Sequence, residues 1–389
     1  MKTRVIRLRD ISSHDEQLWR ALSCRAAEPN PFMEPDYLIP VALHLRFGSE
    51  IDIVLAEEDD RAYACIPIRA VWKFHFPYPF VTTKVHRTIA CGTPLVDAER
   101  GAEGMAAILS ALSKRRRITR SRALDLPQVS QDGPVFEALV KAAQMANLPF
   151  IMHDPFDRGL LRRRPEPGYE QLYNARLRHQ LRRCRRRLAE QLGTEPVLVD
   201  RTDDPDAVDR YLRLEGSGYK AKIGAAMTTV AGEPEFFADM CRRFAAAGLL
   251  QVSALEAGEQ TLAMLVSLRG HDGLFMFKIA HNESYARYGP GILLHIASME
   301  HFHTATDANW IDTCAYRDNE TLLRLYPDRR RTAWIFVPLS RNPLDRAAIH
   351  SFMALHPLHS WIYDKRHPQP SRSHPAPTAE RSLTFDTDS

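Results

Sequence analysis

Residues 274–312 leave this chain few architectures, because they read in turn as strand, glycine turn, helix and strand. The apolar, aromatic-rich run Leu274, Phe275, Met276, Phe277, Lys278, Ile279, Ala280 has the length and composition of a strand. After the polar break His281-Asn282-Glu283, the stretch 285–291 ends in Gly289-Pro290-Gly291. It leads into Ile292, Leu293, Leu294, Ile296, Met299 and Phe302, whose spacing makes one apolar helical face. The glycine turn therefore predicts a helix N-terminus, where the first N–H groups have no intrahelical partner and the helix dipole is positive. Two readings fit. One is a tight turn with proline at the first helical position; the other is a cradle for phosphate or pyrophosphate. A second strand follows at 310–314.

At 389 residues, 44% hydrophobic and 26% charged, the chain is long enough for two domains with cores of their own. Its net charge of +4 is small but uneven, with arginine runs at 115–117, 162–164, 182–187 and 329–331 that favour anionic partners. The six cysteines are scattered without a C-x-x-C pair, which argues against a zinc site and a disulfide framework and for reducing cytoplasm. Met1-Lys2-Thr3-Arg4-Val5-Ile6-Arg7 lacks the apolar core of a signal peptide, and no apolar run approaches the ~18 residues that span a bilayer. The expected location is cytoplasmic, with no transmembrane segment.

The first half mixes short strands and helices. Helices are expected at 15–25 and 37–45, a hairpin at 52–57 and 62–68, then a long loop through Pro77 and Pro79 to Gly92-Thr93-Pro94. A helix at 104–113, a strand at 123–126, a helix at 133–147 and a strand at 150–153 complete it. Residues 173–192 then carry Arg176, Arg178, Arg182, Arg183, Arg185, Arg186 and Arg187, interleaved with Leu177, Leu181 and Leu188. They predict one basic amphipathic helix stopped by Gly193. Such a face is either a solvated helix surface or a surface for nucleotide phosphates, nucleic acid or acidic lipid; it lacks aromatics on which bases would stack. The second half repeats the earlier order: a strand at 197–199, helices at 206–215 and 234–247, a hairpin at 249–256 and 262–269, then the glycine-turn unit. A short helix at 321–325 and a strand at 333–337 follow. From His367 on, Pro, Ser and Thr without apolar periodicity predict disorder.

This order, with a glycine turn after the third consecutive strand, resembles the GNAT acyltransferase fold. Leu214-Glu215-Gly216-Ser217-Gly218-Tyr219-Lys220, with Gly224 and Ala225, is similar to the LE-x-SGWKG…GTA segment of the acetyltransferase family linked to cellulose and exopolysaccharide biosynthesis, a relative of the Fem-type aminoacyltransferases. The arginine-rich helix, the Lys278 strand, the 289–294 turn and Asp312 agree with it. The resemblance covers about residues 170–340. Tyr219 stands where the family more often has tryptophan, Ala221 where it has glycine, and Ala286 fills the first position of the usual Q/R-x-x-G-x-G loop. It implies an α/β fold with a mixed sheet, in tandem GNAT-like domains of which the N-terminal is degenerate. The expected divisions are a degenerate domain over 1–165, a basic linker helix over 166–193, an acyl-CoA-binding domain over 194–365 and a tail over 366–389.

The resemblance further implies an N-acyltransferase using acetyl-CoA or another acyl-CoA as co-substrate, without metal, on an amine acceptor such as an amino sugar or polysaccharide precursor. The alternatives are aminoacyl-tRNA as donor, or a non-catalytic module holding tRNA or another anionic polymer on the arginine-rich helix. Tyr288, Gly289, Gly291, Ile292 and Leu293 would form the cofactor cradle. Glu215 would serve as base or amine-binding carboxylate, and Lys278 would stabilise oxyanion charge, or pair with Asp312. Tyr326 or Tyr316 would protonate the leaving thiolate, and Tyr219, Lys220 and Tyr316 would line the acceptor site. His301 and His303, two apart on a helix, face different ways and do not suggest a metal. No G-x-S-x-G, Walker or H-E-x-x-H motif occurs.

Overall fold

The computed structural model describes residues 1–72, 79–119, 121–166, 168–317 and 319–366. The tail expected to be disordered lies, after Arg366, outside the described residues, as does Pro77. In the first half the strands are β1 (Lys2–Arg7), β2 (Asp52–Glu58), β3 (Arg61–Trp72), β4 (Pro79–Thr82), β5 (Leu95–Val96), β6 (Ala123–Ser130) and β7 (Ile151–Arg162). The helices among them are α1 (Ser13–Ser23), α2 (Pro35–His44), α3 (Gly101–Thr119) and α4 (Pro134–Met145). The second half has α5 (Ala175–Leu192), β8 (Val197–Asp200), α6 (Ala207–Ser217), α7 (Tyr219–Lys222), α8 (Glu233–Ala246), β9 (Leu250–Ala257), β10 (Gln260–Gly270) and β11 (Gly273–His281). It closes with α9 (Pro290–Ala305), β12 (Trp310–Asp312), α10 (Glu320–Leu325), β13 (Asp328–Pro338) and α11 (Pro343–Arg366). The architecture is mixed α/β with a mixed sheet, as expected; β1, β4, β5, α7 and α11 are additions to the sequence reading.

The chain divides into two units. The first takes Met1–Arg158, Cys314–Glu320 and the stretch from Arg329; the second takes Gly159–Thr313 and Thr321–Asp328. In the first unit the strand order is β1-β2-β3-β4-β6-β13, antiparallel except for the parallel pair β4 and β6. Its core packs Val54, Ile66, Leu124, Leu126 and Val337 against Met105, Ile108 and Leu109 of α3 and Val135 and Leu139 of α4.

In the second unit the order is β7-β12-β11-β10-β9-β8, again antiparallel except for one parallel pair, β11 and β12. Each unit thus runs strand, two main helices, three strands, helix, strand, helix. Each unit also takes a strand from the far end of the other half of the sequence: β13, from Arg329 on, belongs to the first unit and pairs β6, and the Leu160–Arg162 end of β7 belongs to the second and pairs β12. On one face of the second sheet lie α5 and α9, with Leu177, Leu181, Leu188, Leu293, Leu294, Met299 and Phe302 against Leu255, Leu265, Leu274, Met276 and Ile311. Burying each such side chain is worth about 1.5–3 kcal/mol. On the other face lie α6 and α8, where Phe237 packs on Tyr211 and stacks on Phe277 of β11. The basic helix α5 is capped as its sequence requires. The Asn174 side chain accepts from the Leu177 N–H at 2.8 Å, and Gly193 closes the helix in a left-handed conformation at φ +71°.

Candidate functional site

A one-residue bulge decides what β11 presents. Plain alternation along a strand would set Lys278 on the side of Leu274 and Met276, facing the α9 core. The register with β10 slips: Met276 stands opposite Ser267 and Lys278 opposite Val266, so Phe277 is the extra residue. The side-chain faces exchange beyond it, Ile279 joins the α9 core and Lys278 turns toward α6. There the Lys278 ammonium lies 3.9 Å from Glu215 Oε1.

Glu215 sits in the last turn of α6 with its side chain fully buried. Its Oε1 accepts from the Tyr211 hydroxyl at 3.3 Å and lies 3.5 Å from Lys220 Nζ; its Oε2 accepts from the Met227 N–H at 2.9 Å. A buried carboxylate is tolerable only with such partners. The same carboxylate and its burial push the Tyr211 phenol well above its ordinary range, burial being the larger cause. Gly218 then bends the chain into α7, from which Lys220 Nζ donates to the Ile279 carbonyl at 2.7 Å. Two lysines are thereby held between α6, α7 and β11.

Two further groups complete the cluster, and the sequence reading passed over both. Glu283 Oε1 accepts from the Tyr219 N–H at 3.2 Å and lies 3.6 Å from His281 Nε2. Burial lowers the His281 pKa, and Lys220 lowers it further, against the opposing pull of Glu283. Burial thus favours the neutral imidazole, the form that can accept a proton. The available signal was the polar trio His281-Asn282-Glu283 directly after an apolar strand.

The turn that follows delivers the helix N-terminus to this histidine. Gly289 adopts φ +63°, a left-handed conformation in which glycine avoids the Cβ penalty, and Pro290 opens α9. A Cβ placed on Gly291 would stand 3.7 Å from His281 Nδ1 and 3.8 Å from Ile279 Cδ1. The expected cradle is smaller than the sequence suggested. The Gly289 N–H donates to the Ala286 carbonyl and the Leu293 N–H to the Gly289 carbonyl, and proline has none. That leaves the N–H groups of Gly291 and Ile292. Tyr288, just before the turn, donates from its hydroxyl to Gln191 Oε1 at 3.2 Å.

The remaining sequence candidates lie elsewhere. Asp312 is fully buried on β12, opposite Phe275 in the parallel register and so three residues short of Lys278. Tyr326 is fully buried on the α9 face of the sheet, where its hydroxyl meets His295 Nδ1 at 3.0 Å and Met276 Sδ at 3.2 Å. It is a core residue separated by the sheet from Glu215. Tyr316 belongs to the first unit, is 55% exposed and accepts from Lys84 Nζ at 2.9 Å. His303 meets the Tyr169 hydroxyl at 3.1 Å, while His301 points to Asp200 at 4.0 Å. Among the described residues no helix is long and apolar enough to cross a membrane.

Together, the parallel pair β11–β12, the strand that outruns its partner and the glycine turn opening α9 make the fold GNAT-like, the class of acyltransferase folds. The comparisons agree: residues 175–321 match the family model described as an acetyltransferase (GNAT) domain. No curated protein matches the sequence. Among solved structures, the chain is similar to FemX, with a TM-score of 0.56 and 9% identity over 89% of this chain and 99% of that one. It is similar too to a conserved protein of unknown function from Bacteroides thetaiotaomicron, with a TM-score of 0.55 and 11% identity over 85% and 98%. At these identities the likeness is one of fold.

Proposed function

We propose that this protein transfers an acyl group from an acyl-coenzyme A thioester, acetyl-CoA being the simplest, to an amine acceptor such as an amino sugar or polysaccharide precursor. One observation carries this reading: the glycine turn closes directly on His281, at the end of the strand that carries Lys278, within the residues that match the acetyltransferase domain. The N–H groups of Gly291 and Ile292 take the donor's pyrophosphate at the positive end of α9. His281, 3.6 Å from Glu283, takes the proton from the attacking amine; as the amide N–C bond forms and the thioester C–S bond breaks, the departing thiolate is protonated from that imidazolium or from solvent. Lys278 supplies positive charge to the oxyanion that develops on the thioester carbonyl. Glu215, fully buried, is a positioning residue that holds Lys278 and Lys220 rather than the base itself.

Isothermal titration with acetyl-CoA and longer acyl-CoAs tests the donor. Binding that Gly291→Trp abolishes supports it, and no binding of any thioester sinks it. A thiol-release screen over amines then finds the acceptor. A second reading, aminoacyl-tRNA as donor, draws on the arginines of α5. Retention on immobilised tRNA that falls steeply with salt, without any affinity for acyl-CoA, would favour it.

A further inference from the structure

Between α5 and the turn Glu283–Tyr288 lies a cavity of about 600 Å³, lined by Arg183, Arg187 and Arg287 and by the Tyr288 ring. We infer that this cavity is a phosphate monoester site, holding the nucleotide end of the donor whose pyrophosphate lies at the adjoining Gly289-Pro290-Gly291 turn. The inference rests on the acyl-coenzyme A reading above.

Three features support it. Arg183 and Arg187 stand one helical turn apart, an arrangement of like charges that weakens a helix by about 0.2–0.5 kcal/mol unless an anion joins them. Among the described residues neither has a carboxylate within ion-pair distance, whereas their neighbours Arg185 and Arg186 are paired with Glu195 at 3.3 Å and Glu190 at 3.5 Å. The cations facing the cavity are therefore the unneutralised ones. Second, Arg287 is set in place: it donates to Gln191 Oε1 at 3.2 Å and lies 4.7 Å from the Tyr288 ring centroid, leaving an aromatic surface beside the charge. Third, Tyr288 is the residue before Gly289, so one ligand reaches the cavity and the turn together.

The shape favours a small donor over a polymer. The volume falls in the range of about 300–1,000 Å³ that small-ligand sites occupy. The ion pairs at Arg185 and Arg186 interrupt a continuous basic stripe along α5, which a long polyanion would need.

The test is isothermal titration of the full chain with coenzyme A and with dephospho-coenzyme A, which lacks the ribose phosphate. The parental protein should prefer coenzyme A by about 10- to 100-fold, as expected for charge-assisted hydrogen bonds to one phosphate. Arg183→Gln with Arg187→Gln should erase that preference while leaving the affinity for dephospho-coenzyme A in place. Both positions are exposed, so melting of the double variant should match the parent. Equal affinity of the parent for the two ligands overturns the cavity assignment alone. Failure to bind either ligand overturns the acyl-coenzyme A reading beneath it. Displacement of coenzyme A by tRNA, lost in the double variant, would assign the arginines to a polymer and overturn the inference as well.

Discussion

The two units run the same order of main elements, and the difference that bears on the proposed site lies at the end of the strand that enters the parallel pair. In the first unit β4 stops at Thr82, the register partner of Asp125, and 83–94 and β5 intervene before α3. In the second, β11 continues six residues past Phe275, the partner of Asp312, and a short turn leads straight to the Gly289 cap of α9. That extension holds the bulge, Lys278 and His281. The lesson is that the scaffold supplies the parallel pair in both units, and the residues of the proposed site come with the longer strand and shorter turn. It also bears on Asp312. A fully buried aspartate occupies the same register position in each unit, Asp125 in one and Asp312 in the other, which is the pattern a scaffold role for that carboxylate predicts.

The largest expected effects break the comparison by stripping the extension. His281→Gln should lower turnover about 10²- to 10⁴-fold, as for loss of a general base, with thiol release as the readout and melting unchanged. In the parent, turnover should decline as pH falls below the ordinary histidine range and the lowered His281 pKa is crossed; a rate flat through that range would remove the base assignment. Next in size, Lys278→Met keeps volume and should cost about 10²- to 10³-fold, the usual loss of one oxyanion donor. If that variant turns over at the parental rate and melts early instead, Lys278 is a structural partner of Glu215.

Why the extension was only half legible follows from what local sequence encodes. The apolar run 274–280, the turn Gly289-Pro290-Gly291 and the segment 214–220 announced themselves, and the expected strands and helices of the second half lie within a few residues of those observed. The slip at Phe277 did not, because it is a property of pairing with Ser267 and Val266 and leaves no mark on β11 composition. Hence Lys278 was read toward Asp312, whereas its ammonium meets Glu215. Likewise the strand signals at 333–337 and 123–126 were both visible while their pairing was not, since a strand's partner is set by loop geometry and core shape far from it in sequence. His281 and Glu283 were taken as a polar break because nothing local distinguishes a turn from a site.

A smaller effect should sharpen the comparison at the position both units share. Asp125 Oδ1 accepts from the Trp334 indole N–H, so Asp125→Ala orphans a part-buried donor at a cost of about 1–3 kcal/mol. If Asp312 is scaffold too, Asp312→Ala should destabilise by a similar amount, measured by urea unfolding, and spare coenzyme A affinity in the folded fraction. A stable Asp312→Ala protein with slow turnover would instead return Asp312 to the catalytic group.

The smallest effect separates the units by pH. The buried residues α3 gives its core are Met105, Ala106, Ile108, Leu109 and Leu112, whereas α9 buries His295, whose pKa burial pushes down to about 4. Its ring packs edge-on against Tyr326 and its Nδ1 meets that hydroxyl, so protonation would place a charge beside a phenol that is itself bonded to a methionine sulfur, with no carboxylate in ion-pair distance among the described residues. Because the folded pKa lies below the unfolded value of 6.5, the unfolded chain takes up a proton that the folded chain refuses. Stability is therefore complete above pH 6.5 and declines as pH falls toward 4. At pH 5.5, one unit below the unfolded value, the loss is on the order of 1 kcal/mol. His295→Phe keeps an aromatic ring beside Tyr326 and leaves its hydroxyl bonded to Met276, so it should flatten this dependence between pH 7.5 and 5.5. A variant whose melting shifts with pH as steeply as the parent's would place the acid sensitivity on other groups.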